Sequence, residues 1–421
     1  MPSSATGNAI VTVSSRAVTR LRSGHPWVYR SDVVNPGNAA AGAVVDIGEE
    51  RGRLLGTALY SSASAIAVRM ISRDCLPQSE VLSQLIPQRI QAALEYRERV
   101  VFAGNPATSN AYRLIFSEGD QLPGLIADRY NDIVTVQALT QAFDRADFRA
   151  TLLAPLATLE GVNTIVERVD DRIRALEQLP VRASAVVWRR DAGASPEGEH
   201  SLPAAPAVDQ LPATVFSMNG VRFRYEALAG QKTGAFLDQR ENYAAVERYA
   251  HGEGLDCFCY HGGFALHMAR RCSSIIGVDS SRPALEAAEK NAALNGQELE
   301  WIEANAFDLL RDYADAGRQY DTIVLDPPAF AKSKSALPAA LRGYKELNLR
   351  ALKMLRPGGI LATCSCSYHV SPADFAALLA SAAADSGRAV RVLERRGASL
   401  DHPAIITIPE TAYLKCFIVS V

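Results

Sequence analysis

The chain has 421 residues, 48% hydrophobic and 21% charged, which is ample core material for two or three globular domains. This composition excludes a mostly disordered chain, a coiled coil and a collagen, and no stretch reaches the ~18 uncharged apolar residues of a membrane span. A formal net charge of −2 does not announce a nucleic-acid binder, although net charge hides local clusters.

The chain starts without the charged and apolar regions of a secretory signal, so none is expected. Residues 1–74 predict a small, barrel-like all-β domain with no helix in its core. Its strands are expected at Ala9–Val13, Ala43–Ile47, Leu54–Leu59 and Ala65–Ile71, separated by Gly and Pro turns. Within it Arg16, Arg20, Arg22 and Arg30 interleave with His25, Trp27 and Tyr29, with no acid between. Two readings stand. The aromatics fill a core beneath solvated arginines, or the cluster contacts RNA phosphates and bases.

Residues 75–214 predict a central α+β domain. Apolar residues at helical spacing run from Ser79 to Val101. Strands follow at Tyr112–Phe116, Leu125–Asp128 and Ile133–Ala138, the last two joined by a turn at Asn131-Asp132. A helix near Ala146–Leu159 and a strand at Thr164–Val169 complete the pattern. Residues 193–212, rich in Pro, Ala, Gly and acids, read as an exposed loop.

Residues 215–421 alternate strand and helix. Strands are expected at Leu255–Cys259, Ser274–Val278, Glu300–Ile302, Thr322–Leu325 and Ile360–Thr363. Helices are expected at Phe264–Arg270, Pro283–Leu294 and Tyr344–Leu355. Continuous apolar strands suit a parallel sheet buried on both faces, a doubly wound α/β fold whose ligands bind beyond the carboxyl ends of the strands.

Those ends carry chemistry. The first closes on Asp256-Cys257-Phe258-Cys259-Tyr260-His261-Gly262-Gly263, whose glycines let backbone approach a ligand. Asp279 ends the second, where a carboxylate can accept both ribose hydroxyls. The Gly-x-Gly-x-x-Gly pyrophosphate cradle is missing, so a nucleoside without phosphate is indicated, with S-adenosylmethionine the natural candidate. A tight turn with a capping Asp is the plain alternative. Asp326-Pro327-Pro328-Ala329-Phe330 aims a carboxylate and a rigid loop into the same crevice, suited to a flipped-out base. Cys364 and Cys366 close the fifth strand, each either an inert buried thiol or a nucleophile. The seven cysteines lack C-x-x-C spacing, which argues against structural zinc and for a reduced, cytoplasmic compartment.

Together these blocks resemble the large-subunit (23S) ribosomal RNA cytosine-C5 methyltransferase family. They are Gly24-His25-Pro26-Trp27-Val28-Tyr29, Glu118 to Leu125 with Asp128-Arg129-Tyr130, Glu167-Arg168 with Asp170, Lys232 to Arg240, Phe258 to Phe264, Asp326 to Phe330, Arg342 to Lys345, Ser365-Cys366-Ser367 and Asp401-His402-Pro403. The resemblance implies a PUA domain, a small α+β domain and a class I, Rossmann-like methyltransferase domain. It implies S-adenosylmethionine held by Lys232, Thr233, Phe236, Asp238, Arg240, Asp256, Phe258, Tyr260, Gly262, Gly263, Asp279, Asn305, Ala306 and Asp326. Asn305 stands where the family has an acid near the adenine and keeps a carbonyl acceptor for its amino group. Asp326 would contact the base and Cys366 would attack it. Ala329 replaces a second cysteine found in related RNA cytosine methyltransferases, so the C5 proton needs another base. Ribosomal RNA is the implied partner and a homodimer the implied assembly. A guanine-N7 methyltransferase and a non-catalytic assembly factor remain alternatives.

Overall fold

A computed structural model describes residues 6–102, 108–190, 212–228, 234–331 and 333–421. Nearly all of the expected 193–212 loop, and Lys232 and Thr233, lie outside them. The chain forms two compact units: 1–216 with 225–234 and 401–411, and 217–224 with 235–400 and 412–421.

In the first unit a six-stranded sheet runs in the order Trp27–Tyr29, Ile66–Ser72, Leu54–Tyr60, Val44–Glu49, Ala9–Val13, Val33–Asn35. Ala9–Val13 pairs parallel to Val44–Glu49, and the other pairings are antiparallel. The expectation of no core helix is corrected: Ser15–Arg22 is helical, and its Ala17, Val18 and Leu21 join the sheet's core. Ser14 caps it by accepting from Ala17 N at 3.3 Å. A single apolar stripe among three arginines is too short to show periodicity.

That helix carries Arg16, Arg20 and Arg22, and Arg30 opens the short turn after Trp27–Tyr29; each has a partner within the fold, while Arg16, Arg22 and Arg30 stay exposed. Asp32, 2% exposed, takes Arg16 Nε at 2.8 Å and Arg20 Nη1 at 2.9 Å. Burial opposes ionisation of Asp32, yet the Arg20 and Arg16 hydrogen bonds outweigh it and hold the carboxyl below its usual range. Arg30 donates to the Ser61 and Ser64 carbonyls, and Trp27 Nε1 donates to Glu118 at 2.9 Å.

A five-stranded sheet follows in the order Ala185–Arg189, Thr164–Glu167, Ile133–Ala138, Leu125–Tyr130, Ala111–Phe116. The chain is helical from Gln78 to Val101, with wider π-type turns at Val81–Leu85 and Arg97–Val101. Its core takes in Val44, Leu59 and Ile71 of the first sheet, so the first two expected domains share apolar packing.

In the second unit seven strands form one sheet: β1 Glu253–Cys257, β2 Ser274–Asp279, β3 Glu300–Glu303, β4 Tyr320–Leu325, β5 Leu355–Ser365, β6 Arg391–Arg396 and β7 Lys415–Ser420. The order is β3-β2-β1-β4-β5-β7-β6. The first five are parallel, and β7 runs antiparallel to both its neighbours. β1 stops at Cys257, short of the expected Cys259, because Phe258 (φ 66°) and Tyr260 (φ 49°) leave the extended region. β5 begins at Leu355, before the expected Ile360, because Leu355 pairs with Tyr320 ahead of an irregularity at Pro357-Gly358-Gly359. The helix expected from Tyr344 starts at Leu337, with Pro338 in its first turn. β6 and β7 were not anticipated. No described helix is long and apolar enough to cross a membrane.

Candidate functional site

The strand order reverses at β1 and β4, and the crevice beyond their carboxyl ends is where an open α/β sheet receives ligands. Asp256, in β1, is fully buried. Its Oδ2 accepts from Ala265 N at 2.8 Å, while its Oδ1 has no hydrogen-bond partner among the described residues. Burial, with Asp326 and Asp279 nearby, pushes this carboxyl well above its usual range, against the pull of the Ala265 bond. A buried carboxylate oxygen without a donor is costly, and a cationic ligand relieves it.

The chain then turns through two non-glycine residues at positive φ, Phe258 and Tyr260. Such strain persists where surroundings enforce it. At Tyr260 Asp279 does so: its Oδ2 accepts from Tyr260 N at 2.9 Å and its Oδ1 from Ser281 N at 2.9 Å. Asp279 thus holds the tight turn, but the helix Arg282–Leu294 is capped by Ser281, not by Asp279, and each Asp279 oxygen keeps a lone pair for a diol.

Gly262 sits at φ 85°, where a side chain would be strained. Gly263 has a different reason: a Cβ there would lie 2.5 Å from Tyr243 Oη and Cζ. Its missing side chain makes room for a buried ring.

Asn305 is exposed and caps the helix Ala306–Asp315, its Oδ1 accepting from Phe307 N at 2.9 Å. One lone pair of the expected adenine acceptor is thus used locally and one remains. Ala306 is buried.

On the other side of the crevice, Asp326 follows β4. It is half-buried, and Gln239 Nε2 donates to its Oδ2 at 3.0 Å. Gln239 is itself held by Asn242, and Asn242 by Arg396. Burial and the Asp238 charge raise the Asp326 carboxyl from 3.8 to about 7, against the Gln239 bond. Asp238 accepts from Tyr413 Oη at 2.5 Å.

The two candidate thiols separate. Cys364 is fully buried and pairs across the ladder with Cys416; that neighbouring thiol and burial push it well above the ordinary thiol range. Cys366 lies one residue past β5, half-exposed, and its Sγ donates to Pro327 O at 3.9 Å, beside Asp326.

Residues 172–418 match the model of the S-adenosylmethionine-dependent methyltransferases, and residues 11–73 match a PUA-like domain. Proteins named Ribosomal RNA large subunit methyltransferase I are similar over nearly the whole chain. One from Shewanella denitrificans is 38% identical, covering 94% of this chain and 95% of its own. Another, from Escherichia coli K12, is 34% identical, covering 97% and 98%. The chain belongs to this family of S-adenosylmethionine-dependent methyltransferases. A crystal structure of a methyltransferase complexed with SAH shares its fold, with a TM-score of 0.78 at 19% identity over 98% of this chain and 100% of that one.

S-adenosylmethionine is thus the methyltransferase's cofactor, and the unpartnered Asp256 Oδ1 fits its ammonium. Asp256, Tyr260, Gly262, Gly263 and Asp279 are brought together on the β1–β2 side, and Phe236 meets the Tyr260 ring at 5.1 Å. Asp238, Asp326 and Cys366 meet on the β4–β5 side. Phe258 packs against the second unit's core. Arg240 is buried; its carbonyl accepts from Asn219, and its guanidinium lies 3.5 Å from Glu241. Gln239, Tyr413 and Lys415 were missed. Gln239 lies inside the family block but its partner is 87 positions away, and no local signal marks the other two.

Proposed function

We propose that this chain transfers the methyl group of S-adenosylmethionine to C5 of a cytosine in large-subunit (23S) ribosomal RNA, through a covalent bond between Cys366 and C6. The ribosomal substrate follows from what the relatives' names say of them. The chemistry rests on one observation: a half-exposed thiol, Cys366, lies against the peptide that follows Asp326.

When bound, the cofactor supplies a methyl group activated by a sulfonium. Asp256 and Asp279 would hold its ammonium and ribose. Cytosine C5 is a poor nucleophile. Addition of the Cys366 thiolate at C6 makes C5 enamine-like and pushes electron density toward N3. With its carboxyl raised to about 7, Asp326 is protonated in roughly half of the molecules at neutral pH and can donate to N3. Loss of the C5 proton and cleavage of the C6–S bond then release the product.

RNA containing 5-fluorocytosine tests this, because fluorine replaces the proton needed for elimination. The wild type should give a denaturation-resistant adduct mapping to Cys366. Cys366→Ala should bind cofactor but give neither adduct nor product, while Cys364→Ala keeps both. An adduct on Cys364, or full activity in Cys366→Ala, would overturn the assignment and favour methylation at an atom such as guanine N7, which needs no thiol.

A further inference from the structure

Lys415 opens β7, opposite Ser365, and is 4% exposed. Its Nζ donates to Ser367 O at 2.7 Å and to Tyr413 O at 2.8 Å. Both are neutral carbonyls, and among the described residues no carboxylate pairs with it. A buried ammonium without an acid is expensive to keep. Two of its three N–H groups are occupied, and the first anchor belongs to the residue next to Cys366. A negative charge on the neighbouring Cys366 would favour the ammonium, against the burial that disfavours it.

We propose that Lys415 activates Cys366: as a neutral amine it takes the thiol proton, and as an ammonium it then stabilises the thiolate. This rests on the reading of Cys366 as the nucleophile. In the step the S–H bond breaks and an N–H bond forms, and the freed sulfur pair attacks C6. Cleavage of C6–S later returns the thiolate to the same ammonium. The pair is reset with no net proton, and the one proton released per methyl transferred leaves C5 for solvent.

The surroundings fit. Burial lowers the Lys415 ammonium from 10.5 to about 8, with Cys366 pulling the other way, which brings the amine into the range where it can exchange a proton with a thiol. The other groups facing the pair are Tyr344, whose Oη shares a hydrogen bond with Ser367 Oγ at 2.9 Å, Asp326, Asp238 beyond the Tyr413 hydroxyl, and the thiols Cys364 and Cys416. None of these is a cation, and the carboxylates oppose thiolate formation, so Lys415 must outweigh them.

The experiment follows iodoacetamide alkylation of Cys366 against pH on the full chain, mapped by mass spectrometry, with half-exposed Cys75 and Cys272 as internal references. The wild-type midpoint should lie below the ordinary ~8.5. Lys415→Met should raise it by about one unit or more, the usual effect of losing an adjacent charge, and slow 5-fluorocytosine adduct formation about tenfold at pH 7. Lys415→Arg should restore the low midpoint, which a purely structural role would not do. Equal midpoints in wild type and Lys415→Met overturn the inference. If Lys415→Met does not fold, a wild-type midpoint at or above ~8.5 overturns it alone. A wild-type adduct mapping away from Cys366 instead removes the nucleophile reading beneath it.

Discussion

Replacing Asp326 by Asn should make the protein more stable and less active at once. The wild-type carboxyl is displaced from 3.8 to about 7 by burial and by Asp238. Between those values the folded chain holds a proton that the unfolded chain has lost, so this residue's contribution to stability falls as pH rises through the window. At ~1.36 kcal/mol per unit the full displacement is worth at most about 4 kcal/mol. Solvent reaching a half-buried side chain reduces that to about 1–3 kcal/mol. Asparagine keeps the shape and a carbonyl to accept from Gln239 Nε2, now at 3.0 Å, but carries no charge at any pH. Urea unfolding should therefore separate the two proteins far more at about pH 8.5 than at about pH 5, with Asp326→Asn the more stable. Methyl transfer should fall by about 10²-fold or more, the usual worth of a positioned acid. A stability difference that does not change with pH would refute the account of the buried carboxyl. Undiminished transfer would refute its role at the base.

Two further outcomes follow from packing and charge. Gly263→Ala should cost about 1–3 kcal/mol, the range for overpacking, because the new Cβ meets Tyr243, itself wedged against Phe264 and His267; thermal melts should show Gly263→Ala/Tyr243→Leu recovering part of the loss, and no recovery would clear Tyr243 of blame. Arg20→Gln should destabilise by about 1–3 kcal/mol by weakening the hold on buried Asp32, a stability term present above the ordinary pKa of 3.8 and lost as pH falls through the lower folded value; the salt dependence of RNA binding should change by less than one phosphate contact, and a full unit of slope would restore this arginine as an RNA contact.

The strand ends were legible because burial on both faces writes continuous apolar runs, and a run that stops at Asp326-Pro327-Pro328 can only turn. The resemblance blocks added which ends matter. What the sequence hid falls into two kinds. Backbone geometry is one: nothing in Phe258 or Tyr260 advertises positive φ, and the Asp279 bond that holds Tyr260 N comes from the next strand. Partners across long separations are the other. Gln239 reaches Asp326, Tyr413 reaches Asp238 and Lys415 reaches Ser367, and none of these pairs shares a local pattern.

The two cysteines show why register decides chemistry that composition leaves open. Cys364 and Cys366 are two apart and point to one side of an extended chain, so the sequence treats them alike. The ladder between β5 and β7 does not. Its last pairs are Cys364 with Cys416 and Ser365 with Lys415. Cys364 is covered by its partner and sealed, whereas Cys366 lies one step past the ladder, half-exposed and against Pro327. The same antiparallel strand that shuts one thiol away delivers a lysine to the backbone of the residue after the other. A slip of β7 by two residues would cover Cys366 and move Lys415 away from Ser367, removing the accessible thiol and its cation together.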